Sequence, residues 1–177
     1  MNNTVTSNKV MNNEVVSNEM DNDQPQASTE NTYTRSQVRS LIFHLLYAME
    51  EFDYEIPLFR IIEGINQGYD QHITPDGEIA KTTQTIIDQR KQIDVIIQDF
   101  LEHWRLERLG LCTRLILRLG TWELLATDLP VSIIINEAVE LAKDFAEKDS
   151  YKFINGILDK IAAQREQLRE KFAGKIA

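Results

Sequence analysis

Apolar residues recur at steps of three and four from Tyr33 onward, and this period constrains the fold more than any other feature. Such spacing places apolar side chains on one face of an α-helix. In the first predicted helix these positions are Val38, Leu41, Ile42, Leu45, Leu46 and Met49. Only 7 Gly and 4 Pro occur in 177 residues, whereas a β-sandwich or barrel needs many turn residues. The pattern therefore predicts an all-α fold with a single domain of six or seven helices.

The first 32 residues differ from the rest of the chain. They are rich in Asn, Ser and Thr, and carry five acidic residues against one lysine, a net charge of −4. So few apolar residues cannot offset the entropy of ordering the segment. We therefore predict a disordered tail at 1–32 and a helical domain at 33–177. A tail that orders on a partner is the alternative.

The same period predicts the later helices. They span 57–68, 74–104, 111–125, 132–145 and 150–172. The stretch 74–104 is either one helix or two joined near Arg90, with Trp104 as its last apolar position. The helix at 111–125 is apolar nearly all round, which predicts a central position in the fold.

Composition and motifs argue against several functions. The net charge of −9 and the pI near 4.9 exclude a broad cationic coat for nucleic acid, but not a local basic patch. The single cysteine, Cys112, excludes an internal disulfide. No apolar run approaches ~18 residues and the N-terminus lacks a signal pattern, which predicts a cytoplasmic protein that does not contact a membrane. No phosphate loop, nucleophile motif or metal-ligand spacing is present, so we expect no catalysis, metal or cofactor.

The first predicted helix carries a row of cations and rings. Arg35, Arg39, Phe43 and Tyr47 are successive i, i+4 neighbours that flank the apolar stripe. Guanidinium groups followed by aromatic rings suit single-stranded RNA, because they contact phosphates and stack on unpaired bases. The alternative is that the arginines are solvated and the rings extend the core.

Polar residues interrupt two later helices. Asn136 and Glu137 lie within one apolar helix, and Asn155 and Gly156 within another. Asn and Gly are poor residues in a helix interior. We therefore predict structural roles for all four residues: hydrogen bonds from the polar side chains and tight helix packing at Gly156.

Several ordered motifs resemble the NusB family of transcription antitermination factors. They are Leu117-Arg118-Leu119, Trp122-Glu123-Leu124, Leu129-Pro130-Val131, residues 135–143 (INEAVELAK) and residues 149–160 (DSYKFINGILDK). The similarity is densest over 104–162. It implies two small helical bundles and a non-enzymatic role in bacterial ribosomal RNA transcription. Family members bind the boxA element of nascent RNA together with the ribosomal protein NusE, and the complex helps RNA polymerase read through termination signals.

The resemblance also implies which residues bind. The expected RNA-binding residues are Arg35, Arg39, Tyr47, Asp149, Lys152 and Phe153. The expected NusE-binding residues are Glu107, Arg108 and Thr113, the last of which replaces a family glutamate. Ser36 and Gln37 replace arginines that are common in the family. Some family members self-associate, so a homodimer that buries the RNA face is a further expectation.

Two other functions are consistent with the residues: a helical protein-binding adaptor with little RNA affinity, and an accessory module of an RNA methyltransferase. The distribution of charge favours local RNA contact. Residues 50–102 contain four basic and twelve acidic side chains, whereas 33–49 carry +2 and 103–177 carry +1. The acidity therefore lies outside both predicted RNA-binding segments.

Overall fold

The computed structural model describes residues 33–173, and all regular structure in that range is helical. The α-helices are α1 (Arg35–Glu51), α2 (Leu58–Tyr69), α3 (Glu78–Asp99), α4 (Leu111–Ala126), α5 (Val131–Phe145), α6 (Ser150–Ala162) and α7 (Arg165–Ala173). Within the same range, a 3-10 turn spans Leu106–Arg108. The predicted all-α fold of six or seven helices is confirmed for this range, while the tail predicted at 1–32 lies outside it.

The helices α1, α2 and α3 form the N-terminal bundle. A capping box begins α1: the Thr34 hydroxyl accepts the Gln37 N–H, and the Gln37 side chain accepts the Thr34 N–H at 2.8 Å. The Asn66 side chain of α2 bonds both the N–H and the C=O of Ile73. These bonds fix the connection to α3 and bury Ile73 in the core.

The predicted central helix, α4, packs against α1 and α3 on one side and against α5, α6 and α7 on the other. Most of its side chains are buried, so it belongs to both bundles. Gly120 on α4 permits close approach of α6, because a Cβ at this position would lie 2.9 Å from the Leu158 Cδ1. The two-bundle arrangement implied by the family resemblance is confirmed.

The structure decides one open alternative and corrects one helix boundary. The stretch before the central helix is one helix, α3, which ends at Asp99. Trp104 lies beyond it and is exposed rather than part of the core stripe. The helix predicted over 150–172 is two helices, because the chain turns after Ala162 and α7 begins at Arg165.

An arginine at this second boundary holds the end of the central helix. The Arg165 guanidinium donates to the carbonyls of Leu124 at 2.7 Å and Thr127 at 2.6 Å. The last carbonyls of a helix have no partner within it. The start of α7 therefore satisfies the carboxyl end of α4.

Candidate nucleic-acid interface

The two arginines of α1 lie in opposite environments. Arg35 is exposed in the first turn and forms no ion pair with the described residues, so its guanidinium is accessible to RNA. Arg39 is only 5% exposed, and its Nε lies 2.7 Å from Oε1 of Glu123 on α4. Its Nη1 lies 3.6 Å from Oε2 of Glu137 on α5. The prediction that Arg39 contacts RNA is wrong in this structure, because its guanidinium faces the interior.

Arg39 instead belongs to a buried charge cluster that joins three helices. Burial raises the pKa of Glu123 and the nearby Glu137 adds to this, while the Arg39 guanidinium opposes both. Glu137 therefore adds a second carboxylate to this cluster, from α5. A buried carboxylate of this kind depends on its cation, since an unpaired charge in the interior is costly.

Aromatic side chains link α1 to the end of α5. Phe43 is buried and stacks on Phe145 with ring centroids 5.0 Å apart. His44 meets the same Phe145 ring edge-on at 5.0 Å. Tyr47 is 38% exposed and lies 6.5 Å from Phe43. Of the predicted row, Phe43 therefore extends the core, while Arg35 and Tyr47 remain at the surface.

Cations surround an aromatic ring at the start of α6. The ring of Tyr151 has the Lys152 Nζ 5.5 Å and the Lys143 Nζ 5.9 Å from its centroid. Lys152 also pairs with Asp149 at 2.8 Å, and this hydrogen bond raises the pKa of Lys152. Asp149 has a left-handed backbone (φ 66°) and does not cap α6 with its side chain.

Phe153, the last predicted RNA-binding residue, is half-buried one turn into α6. It lines a groove between α6 and the connection that follows α3. The structure therefore places Asp149, Lys152 and Phe153 together at the start of one helix. Phe145 and Tyr151 complete this surface with α1, and neither was among the predicted site residues.

The predicted NusE-binding residues do not share one environment. Glu107 and Arg108 are exposed on the 3-10 turn. Thr113 is only 3% exposed, and its hydroxyl donates to Oε2 of Glu147 at 2.8 Å. The prediction that Thr113 contacts a partner is wrong in this structure, because Glu147 covers it.

Glu147 supplies a carboxylate where the family glutamate was expected. It lies against Gly110, the residue before α4, and accepts a further hydrogen bond from the Ser150 hydroxyl at 3.2 Å. A hydrogen bond from its own backbone N–H and the bond from Thr113 lower the pKa of Glu147. This acidic group comes from the α5–α6 connection, so comparison at position 113 alone misses it.

The structure corrects the roles predicted for Asn136 and Gly156. Asn136 is exposed on α5. Asn155 does donate a hydrogen bond, to Asp159 on its own helix at 2.8 Å, and this bond lies at the surface. Gly156 has no atom within 4 Å of the position that a Cβ would occupy. The glycine that permits tight packing is Gly120, which its place in a nearly all-apolar helix would have indicated.

The described residues hold no cluster of three or more side chains suited to a metal ion. Burial and the nearby Glu147 raise the pKa of the Cys112 thiol, the opposite of what a nucleophile requires. No helix within residues 33–173 is both long and apolar enough to cross a bilayer.

The fold is that of two-bundle, all-helical proteins, and cations lie beside an aromatic ring at the start of α6. This chain belongs to the NusB family, whose model matches residues 36–163. It is 36% identical to the transcription antitermination protein NusB of Macrococcus caseolyticus, covering 72% of this chain and 95% of that protein. It is 42% identical to the same protein of a Nitratiruptor species, covering 74% and 93%.

Solved structures agree with this assignment. A structure of T. maritima NusB has a TM-score of 0.64 at 36% identity, and covers 75% of this chain and 92% of that one. A structure of the antitermination factors NusB and NusE in complex with dsRNA has a TM-score of 0.62 at 26% identity, covering 73% and 96%. The family resemblance drawn from the sequence is therefore confirmed.

Proposed function

We propose that this chain acts in transcription antitermination by binding boxA RNA jointly with NusE. Its membership of the NusB family supports the process, and the similar NusB–NusE–dsRNA structure supports the pair of ligands. The observation that carries the proposal is the cluster of Lys143, Tyr151 and Lys152 at the start of α6. Cations beside a ring suit the phosphates and bases of an unpaired strand. The proposal assigns no chemical reaction to the chain.

The supply of unpaired cations on this face is small. Arg35 and Lys148 are exposed and form no ion pair with described residues. Lys143 and Lys152 are in exposed pairs with Glu140 and Asp149. Exposed ion pairs contribute little to stability, so an RNA phosphate can replace the carboxylate as the partner of each lysine. Breaking the pair nevertheless costs part of the free energy that the phosphate contact supplies. We therefore propose that affinity is divided between this chain and NusE, with one RNA spanning both proteins.

A mobility-shift titration tests the divided affinity. We expect the affinity for boxA RNA to rise by more than tenfold when NusE is added, because the second contact becomes intramolecular. A scrambled RNA of equal length serves as the control and gains less. Equal binding of boxA RNA with and without NusE contradicts the divided affinity. NusE binding without any RNA binding supports instead a protein-binding adaptor, which the burial of Arg39 favours.

The salt dependence of binding tests the phosphate contact of Arg35. Arg35→Ala is expected to reduce the slope of log affinity against log salt by about one, because one fewer phosphate is neutralised. Lys91→Ala is the matched control, since it removes an exposed cation on α3, outside this face. An unchanged slope for Arg35→Ala shows that the phosphate contacts lie elsewhere.

A further inference from the structure

A groove of about 280 Å³ lies between α6 and the connection that follows α3. Its apolar lining includes Leu101 and Trp104 from the connection and Phe153 and Ile157 from α6. Lys152 and Lys160 lie at its rim. We refer to it as the Trp104 groove.

Trp104 has an exposed side chain on a hydrogen-bonded backbone. Its side chain is 58% exposed and makes no ring contact with the described residues. The Gln98 side chain fixes the backbone around it, since it donates to the Trp104 carbonyl at 3.0 Å and accepts the Leu106 N–H at 2.9 Å. The backbone below the indole is therefore already ordered before binding, and the exposed ring can stack on a flat ligand.

The rim of the groove favours an anionic ligand. Lys152 and Lys160 each have one carboxylate partner, Asp149 at 2.8 Å and Glu102 at 2.7 Å, in exposed pairs. Glu102 also lines the groove, so the two lysines exceed the acidic charge there by one. Phosphates can therefore reach two cations beside an apolar floor, because exposed ion pairs hold only weakly against them.

The position of the groove connects the two proposed contacts. Lys152 and Phe153 belong to the proposed RNA-binding face. Glu107 and Arg108, which were predicted to contact NusE, lie a few residues beyond Trp104 on the same connection. An RNA strand that runs from the proposed RNA-binding face to the predicted NusE contact therefore crosses the Trp104 groove.

We propose that the Trp104 groove accepts one unpaired base of the RNA bound by this face. The base stacks on the Trp104 indole, and its flanking phosphates contact Lys152 and Lys160. An apolar side chain of a protein partner would also fit the apolar floor, but it would give the lysines at the rim no anionic partner. This inference rests on the proposed RNA-binding function and adds a stacking contact with one base to it.

Tryptophan fluorescence reports directly on the groove. The chain has two tryptophans, and Trp122 lies apart from the groove, where it donates to Gln89 at 3.1 Å. In Trp122→Phe, Trp104 is therefore the only tryptophan that emits. We expect boxA RNA, added with NusE, to quench this emission, because a base stacks on the indole. RNA that binds without changing the emission overturns the inference and leaves the proposed function intact.

Binding by substituted chains supplies the second measurement. Trp104→Ala is expected to weaken boxA binding in the presence of NusE by about fivefold or more, the usual loss for one stacked base. Trp104→Phe retains a ring and is expected to recover most of the affinity. Phe59→Ala is the matched control, since it removes an exposed ring from α2, which contributes nothing to the groove. Equal RNA affinity for Trp104→Ala and the unsubstituted chain overturns the inference.

A third measurement separates RNA from a protein occupant. Trp104→Ala is expected to bind NusE alone as tightly as the unsubstituted chain does. Weaker NusE binding in the absence of RNA means that a protein side chain fills the groove, and overturns the inference. If the unsubstituted chain binds no boxA RNA even with NusE, the proposed function fails and the inference fails with it.

Discussion

Arg35 and Arg39 lie one helical turn apart on α1, yet their guanidinium groups meet opposite surroundings. Successive i, i+4 positions differ by about 40° around a helix, because each residue turns it by about 100°. On α1 this rotation carries the side chain from solvent to the carboxylates of Glu123 and Glu137. The same residue type therefore has a surface role at one position and a structural role at the next.

Substitution of these two arginines should separate stability from RNA binding. Arg39→Ala is expected to lower the free energy of unfolding by about 3–5 kcal/mol, because Glu123 is left buried without its cation. Arg35→Ala is expected to change it by less than about 0.5 kcal/mol. Urea denaturation at neutral pH measures both. If Arg39→Ala is as stable as the unsubstituted chain, the pair with Glu123 is not buried in solution.

The sequence could place Arg39 on a helix but not in the interior. The helical period places Arg39 beside the apolar stripe. It cannot identify the partner Glu123, because Glu123 is 84 residues away in the chain. Thr113 is similar, since it is covered by Glu147, 34 residues away. A helical period describes one helix at a time and carries no information on which distant side chain faces it.

Two glycines in helix interiors differ in whether the packing around them leaves room for a Cβ. Gly120 of α4 faces α5 and α6, where a Cβ would lie 2.9 Å from the Leu158 Cδ1 and 3.7 Å from the Ala138 Cβ. Leu158 is fully buried and has little room to move. Gly156 of α6 faces solvent with open space around it. The two positions therefore respond in opposite directions to the same substitution.

The matched pair Gly120→Ala and Gly156→Ala tests this packing. Gly120→Ala is expected to destabilise the fold by about 1–3 kcal/mol, because the added methyl group overpacks the contact of α4 with α6. Gly156→Ala is expected to stabilise it by up to about 1 kcal/mol, because alanine is the better helix former. Thermal or urea unfolding distinguishes the signs. A stabilised Gly120→Ala contradicts the close approach of the two helices.

The spacing of apolar residues predicts the number and type of the helices. It does not predict the boundary between α6 and α7. The predicted helix over 150–172 is interrupted after Ala162 although its apolar spacing continues to Phe172. The interruption brings Arg165 to carbonyls of α4 and its connection. These hydrogen bonds join two different helices. The spacing of apolar residues within 150–172 therefore could not reveal the interruption.

At the scale of the whole molecule, a charge network joins the two bundles. Arg118 of α4 binds both carboxylate oxygens of Asp94 on α3, at 2.6 and 2.8 Å, and reaches Glu50 of α1 at 2.8 Å. Arg114 also binds Glu50, at 2.7 Å, and the Tyr54 hydroxyl donates to the same carboxylate. These contacts cross from the N-terminal bundle to the central helix.

The network should make stability depend on acidic pH. Burial opposes ionisation of Glu50, but the Tyr54 hydrogen bond and the two guanidinium groups lower its pKa below the usual value. A carboxylate with a lowered pKa in the folded state stabilises the fold above its unfolded pKa, about 4.3, and loses that contribution as the pH falls further. Glu50→Gln is therefore expected to be less stable at neutral pH and to lose less stability on acidification.

Unfolding free energies between pH 3 and 7 measure this difference. Glu51→Gln is the control, because Glu51 is exposed and forms no ion pair within the described residues. It should reproduce the pH profile of the unsubstituted chain. A Glu50→Gln profile parallel to that of the unsubstituted chain contradicts a role for Glu50 in acid sensitivity.

The contact of Arg165 with the end of the central helix has a consequence for the order of folding. During synthesis, α4 is complete in sequence once Ala126 has been added, but Arg165 follows Leu124 by 41 residues. Synthesis adds about 5–20 residues per second, so Arg165 follows seconds after Leu124. Until then the Glu123 carbonyl already has Thr127 as its partner, whereas the Leu124 and Thr127 carbonyls lack the Arg165 guanidinium. The contacts that complete the carboxyl end of α4 therefore form only after the last helix has been synthesised.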